Sequence, residues 1–191
     1  VRSAGGGRHW VGPSLRALGA ACVLVGLLAL WLEADFRQNV ASGDLSAARV
    51  ALERMTWIGR DSPNRRTRLG RQLAAKGDYR RAQSQFRKSI NLHPTPEAWR
   101  SLGLLNEQTG DMRRALAAYQ AVLALDGGDA RAWYSSGLMR SKLGEFKQAV
   151  QELEHAAELA PSEKLISVSL ARARRSLEES REQSSAGSPD Q

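Results

Sequence analysis

Side chains capable of chemistry are few and scattered in this chain. His9, His93 and His155 lie far apart, and Cys22 is the single cysteine, so neither a disulfide framework nor a multi-Cys zinc site can be assembled. The densest titratable cluster is Glu152, Glu154, His155 and Glu158. Such residues support general acid–base work when they converge on a cleft. Here they fall on one predicted helix, with His155 and Glu158 as i,i+3 neighbours, which is the pattern of a solvated face. No G-x-S-x-G, no H-E-x-x-H and no phosphate-cradling glycine loop occurs, and Gly5-Gly6-Gly7 reads as a tail. The expectation is a non-enzyme with no catalytic residue, no metal and no cofactor.

What remains is charge that can bind. The net charge of +8 is matched by the surplus of residues 63–95 alone, where Arg65, Arg66, Arg68, Arg71, Lys76, Arg80, Arg81, Arg87 and Lys88 face only Asp78. Such a basic patch suits anionic lipid head groups or an acidic protein partner, or is simply solvated. Nucleic acid is disfavoured, because the domain is expected to lie outside the cytoplasm.

The N-terminal element is apolar. From Ala17 to Leu32 there is no charge, and Val11 to Leu32 is interrupted only by Arg16, which can snorkel. Trp10 and Trp31 bracket the run, about 31 Å apart on a helix, close to the ~30 Å of a hydrocarbon core. A cleaved signal peptide lacks a convincing site in Leu32–Phe36, and a lipoprotein use of Cys22 leaves most of the apolar run on the wrong side. The expectation is a transmembrane signal anchor over residues 11–32. Arg2, Arg8 and Arg16 put residues 1–10 in the cytoplasm and the remainder in a bacterial periplasm, beside the inner membrane.

Beyond it the chain repeats. Trp99 recurs as Trp133, Gly103 as Gly137, Gly110 as Gly144 and Ala115 as Ala149, each at a separation of thirty-four. Each unit splits at Gly-Asp or Gly-Glu into two helical runs, with Gly ending the first and the acid opening the second. Ala82, Ala115 and Ala149 are expected opposite Gly70, Gly103 and Gly137, with Phe86, Tyr119 and Leu153 filling the gap to the next unit. Trp99 and Trp133 are expected to be packing residues. These units resemble the tetratricopeptide repeat family: Trp99, Leu102, Gly103, Ala115 and Tyr119 in one, Trp133, Gly137, Ala149 and Pro161 in the next. An earlier unit, one residue shorter, has Leu69, Gly70, Gly77, Asp78, Tyr79, Ala82, Phe86 and Pro94.

The resemblance implies an all-α, right-handed helical solenoid of about three repeats, fused to the N-terminal transmembrane helix. The divisions are residues 33–62 for a juxtamembrane helix and degenerate half repeat, then 63–95, 96–129 and 130–161 for the repeats. Residues 162–182 make a capping helix, and 183–191 a disordered tail. It also implies a concave groove lined by Thr67, Arg71, Arg100, Leu104, Arg131, Tyr134 and Leu138, suited to an extended or helical peptide of some acidity. The Lys and Asn pattern that clamps a terminal carboxylate is absent, since Thr67 and Arg71 stand at its first pair of positions. The expected function is a single-pass, membrane-anchored adaptor that mediates protein–protein interaction in envelope or membrane-complex assembly. Alternatives are a resident structural subunit of a large membrane complex, and a substrate-recruiting accessory of an envelope enzyme system such as cytochrome c maturation or polysaccharide assembly.

Overall fold

The computed structural model describes the backbone of residues 15–186 and the side chains of residues 22–185. Every regular element among them is a helix: α1 (Leu15–Ser42), α2 (Leu45–Trp57), α3 (Pro63–Ala75), α4 (Tyr79–Leu92), α5 (Pro96–Gln108), α6 (Met112–Leu125), α7 (Ala130–Lys142), α8 (Phe146–Leu159) and α9 (Lys164–Ala186). They fall into two compact units, divided between Asp61 and Ser62.

The second unit is built from pairs α3/α4, α5/α6 and α7/α8, closed by α9. One turn is used three times. Gly77, Gly110 and Gly144 take φ of +80°, which only glycine adopts cheaply, and end α3, α5 and α7. The N–H of the following acid then reaches back to the helix, from Asp78 to the Leu73 carbonyl (2.9 Å), Asp111 to Asn106 (2.8 Å) and Glu145 to Arg140 (2.9 Å). Asp78 and Asp111 also cap the next helix by accepting the N–H of Arg81 and Arg114. Pro63 and Pro96 open α3 and α5 where a missing N–H costs nothing.

Within each pair the large residue meets the glycine. A Cβ on Gly70, Gly103 or Gly137 would lie 2.6, 2.7 or 2.8 Å from Phe86, Tyr119 or Leu153 respectively. Those three residues and Ala82, Ala115 and Ala149 are fully buried. The large residues do both jobs: they press onto the glycine of their own unit and reach the next one, Phe86 beside Leu105 of α5, Tyr119 with Met139 of α7 and Leu153 with Ala173 of α9. α9 extends to Ala186, past the expected end at Glu182, so residues 183–186 are helical, while 187–191 of the expected tail lie outside the described residues.

In the first unit Leu32, Phe36 and Val40 of α1 are buried along with Leu45, Ala48, Leu52 and Met55 of α2, which packs against it. The Gly43-Asp44 turn repeats the chemistry above, with Gly43 at φ +79° and Asp44 capping α2. The expected transmembrane helix over 11–32 is not recovered: among the described residues no helix is long and apolar enough to cross a membrane. The described side chains begin only at Cys22, and α1 does not stop at Leu32 but runs on through Glu33, Asp35 and Arg37 to make the first helix of a pair. Residues 11–14, and the side chains of 15–21, lie outside the description.

Candidate functional site: the face of the first helices

The first helices of successive pairs approach one another: α3 touches α5 as well as α4, and α7 touches α9. Their shared side is the one on which the repeat resemblance places the groove. Arg71 is exposed there and pairs with Glu97 at 2.8 Å. Arg100 bonds to Asp129, the cap of α7. Burial pushes the Asp129 carboxyl up, but the Arg100 guanidinium and the Ala132 N–H outweigh it and hold the carboxyl below its ordinary range. Two of the three groove arginines are therefore engaged with acids at the start of the next first helix. Arg131 is exposed and makes no ion pair among the described residues.

Leu104 is half exposed over a hollow of about 230 Å³ between α3 and α5, beside Arg71 and Ala74. Tyr134 sits at a larger pocket of about 440 Å³ between α7 and α9, lined also by Arg131, Ser135, Leu165 and Ile166. Its hydroxyl lies 3.4 Å from Ser169 Oγ. Leu138 turns partly inward, against Ala115, Tyr119 and Met139. Thr67 is not on the face at all. It is 1% exposed, and its hydroxyl meets Ser89 Oγ at 2.9 Å. Ser89 spends its own proton on the Pro63 carbonyl, so Thr67 donates. A short side chain at this position ends inside the α3/α4 contact, where the longer Arg100 reaches out.

The basic patch is divided. Arg66 leaves it: it is 4% exposed, at the position held by Trp99 and Trp133 in later units, and donates to Gln85 Oε1 at 3.1 Å. Arg65 is half-buried, and Arg68 and Lys76 are exposed on α3 and at its end. Arg80, Arg81, Arg87 and Lys88 are exposed on the outer face of α4, opposite its buried Ala82, Gln85, Phe86 and Ser89. Among the described residues Arg81 alone of these four is paired, with Asp78 at 3.1 Å.

Sequence reasoning missed the contribution of α9. Adding thirty-four to Arg131, Tyr134 and Leu138 lands on Leu165, Val168 and Arg172, so α9 is in register as a further first helix. Leu165 and Val168 are 66% and 58% exposed. The expected cap helix therefore also extends the concave face. His155 is 3.4 Å from Glu158 and meets the Trp133 ring edge-on at 4.5 Å, a packing arrangement. Among the described residues no group of His, Cys, Asp and Glu is placed to hold a metal ion.

Profiles of the tetratricopeptide repeat match residues 67–130 and 110–178. No curated protein matches the sequence. Among solved structures, the chain is similar to a MamA protein with a TM-score of 0.68 at 22% identity, over 79% of this chain and 83% of that one. It is similar to MamA from Desulfovibrio magneticus RS-1 with a TM-score of 0.60 at 21% identity, over 85% and 98%. A third similarity is to the first repeat domain of Spaghetti (RPAP3) bound to an HSP90 peptide, SRMEEVD, with a TM-score of 0.58 at 18% identity, over 61% and 93%.

Proposed function

The chain belongs to the tetratricopeptide repeat family, and from that premise we propose that it is a non-enzymatic, membrane-held adaptor that binds a protein segment along its concave face. The observation that carries this reading is the open pocket between α7 and α9, where Arg131 is uncommitted beside Tyr134 and the exposed Leu165. A cation next to an aromatic and an aliphatic surface fits a peptide that offers a carboxylate close to an apolar residue. The peptide bound by the RPAP3 domain is of that kind, with two glutamates and a terminal Val-Asp. The pairing of Arg71 with Glu97 and of Arg100 with Asp129 favours a groove centred toward α7 and α9.

The membrane part of the proposal rests on α1. Val23, Leu24, Val25, Leu27, Leu28, Leu30 and Trp31 are all exposed, and no charged residue interrupts Ala17–Leu32. A helix apolar on every side needs a nonaqueous surrounding. The arginines before it favour a cytoplasmic N-terminus and a periplasmic repeat domain in a bacterial inner membrane.

The test is affinity purification of the full chain in mild detergent, with stoichiometry, beside an Arg131→Ala/Tyr134→Ala variant. Loss of partner by tenfold or more at unchanged helicity supports the groove; equal recovery sinks it. A fixed ratio to several membrane subunits would replace the adaptor with a resident structural component.

A further inference from the structure

On the opposite side of the second unit, α4 and α6 leave a cleft of about 320 Å³ between them. Ile90, Trp99 and Ala118 make an apolar lining, Asn106 offers a carboxamide, and Arg87 and Arg114 stand at the sides. The size is at the lower end of ligand pockets, room for one or two large side chains. The charges carried by α4 and α6 themselves are all basic. No carboxylate occurs between Asp78 and Glu97 or between Asp111 and Asp126, and Arg80, Arg81, Arg87, Lys88, Arg113 and Arg114 are all exposed. Arg81 and Arg114 are paired with the cap of their own helix; the other four make no ion pair among the described residues.

The cleft is not a by-product of repeat geometry. Thirty-four residues on, Asn106 becomes Arg140 and Ala118 becomes Glu152, and these two bond at 2.6 Å across the same position. In the later repeat an ion pair between α7 and α8 fills these positions, and in the earlier one they are left apolar and rimmed by cations.

We infer that the α4/α6 cleft is a second binding site, for an acidic protein segment that inserts one large apolar side chain between Arg87 and Arg114. The apolar side chain is the anchor, and carboxylates flanking it meet the arginines. A bilayer would reach the protruding cations but not the Trp99 floor behind them, which favours a peptide over head groups. This site is separate from the concave one and shares only α5 with it, whose Trp99 and Asn106 line the cleft while Arg100 and Leu104 belong to the groove.

The experiment is selection of a randomised twelve-residue phage-displayed library on the full chain in mild detergent, in wild-type form and with Arg131→Glu/Tyr134→Ala disabling the groove. The groove-disabled chain is expected to enrich peptides that set Leu, Phe or Trp beside two or more acids. Their binding should fall at least tenfold with Arg87→Glu/Arg114→Glu, and also with Ala117→Gln. That last variant installs the residue found at the matching position 151, narrowing the cleft without changing charge. Helicity of each variant is checked by circular dichroism. Enriched peptides that ignore Arg87, Arg114 and Ala117, or that lack acids, overturn the inference. So does a failure to enrich peptides, including one accompanied by Arg87/Arg114-dependent binding to phosphatidylglycerol micelles, which would assign the cations to lipid. Peptides that depend only on Arg131 and Tyr134 would leave the groove standing and remove the cleft.

Discussion

Two interfaces between successive second helices share one frame and differ in what fills them. Between α6 and α8 the frame positions hold Arg140, Gln151 and Glu152, and Arg140 bonds to both Glu152 and Glu145 at 2.6 Å. Burial works against the Arg140 charge, yet the two carboxylates outweigh it and raise its basicity. Trp133 is pinned there too, donating from its indole to the Gly127 carbonyl at 2.9 Å and meeting His155. Between α4 and α6 the same positions hold Asn106, Ala117 and Ala118, Ala121 replaces His155, and the Trp99 side is open. The repeat supplies the scaffold; the departures from it decide which positions are taken by an ion pair and which are left to line a cleft.

The largest effect that can break this comparison is removal of the ion pair. Arg140→Asn strands Glu152, whose second oxygen already has no partner, and is expected to cost about 3 kcal/mol. Asn106→Ala removes only a long contact with Gln83 at 3.5 Å and should cost about 1 kcal/mol or less. The double variant Arg140→Asn/Glu152→Ala should recover most of the loss, because no buried charge is left alone. Denaturant unfolding measures all three. If Arg140→Asn and Asn106→Ala cost the same, the two interfaces are energetically alike and the contrast is one of shape only.

A smaller effect sharpens it through the glycines. Gly103→Ala drives a Cβ to 2.7 Å from the Tyr119 ring, a rigid body that cannot bend aside, and should destabilise by about 2 kcal/mol despite the helical gain of alanine. Gly137→Ala meets the Leu153 branch at 2.8 Å, which can rotate, so about 1 kcal/mol is expected. A larger loss at Gly137 would show that the Ala149 carbonyl, 3.2 Å away, sets the spacing instead.

The repeats were legible in the sequence because their chemistry is local: a period of thirty-four, and Gly-Asp or Gly-Glu turns that end one helix and open the next. The site was legible only in part. Glu97 and Asp129 are plain in the sequence, but that they take up Arg71 and Arg100 depends on how one unit is laid on the next. Thr67 looked like a surface residue because nothing in its spacing shows that Ser89 receives it, whereas Arg66 stands at the Trp99 position, which reads as packing, and only its partner Gln85 was hidden. Leu165 and Val168, by contrast, lay one repeat beyond Arg131 and Tyr134 and were within reach of the same count. Trp99 and Trp133 both read as packing from their shared repeat position; the His155 contact of Trp133 and the Arg140–Glu152 pair beside it, for which the earlier repeat has Ala121, Asn106 and Ala118, distinguish them.

The smallest expected effect separates the two repeats by pH. In the α5/α6 pair, burial first and the Glu107 carboxylate second raise the Tyr119 hydroxyl well above its ordinary value near 10. The unfolded chain then loses that proton earlier than the folded one, so stability present below about pH 10 declines as pH rises above it. In α7 the depressed Asp129 has the opposite sense: its contribution is present above the ordinary aspartate value of 3.8 and is lost as pH falls through its lower folded value. Thermal melts across pH are expected to show Tyr119→Phe flattening the alkaline limb alone and Asp129→Asn the acid limb alone. If either substitution flattens both limbs, the pairs do not carry separable charge terms, and the contrast between neighbouring repeats reduces to the shape of their clefts.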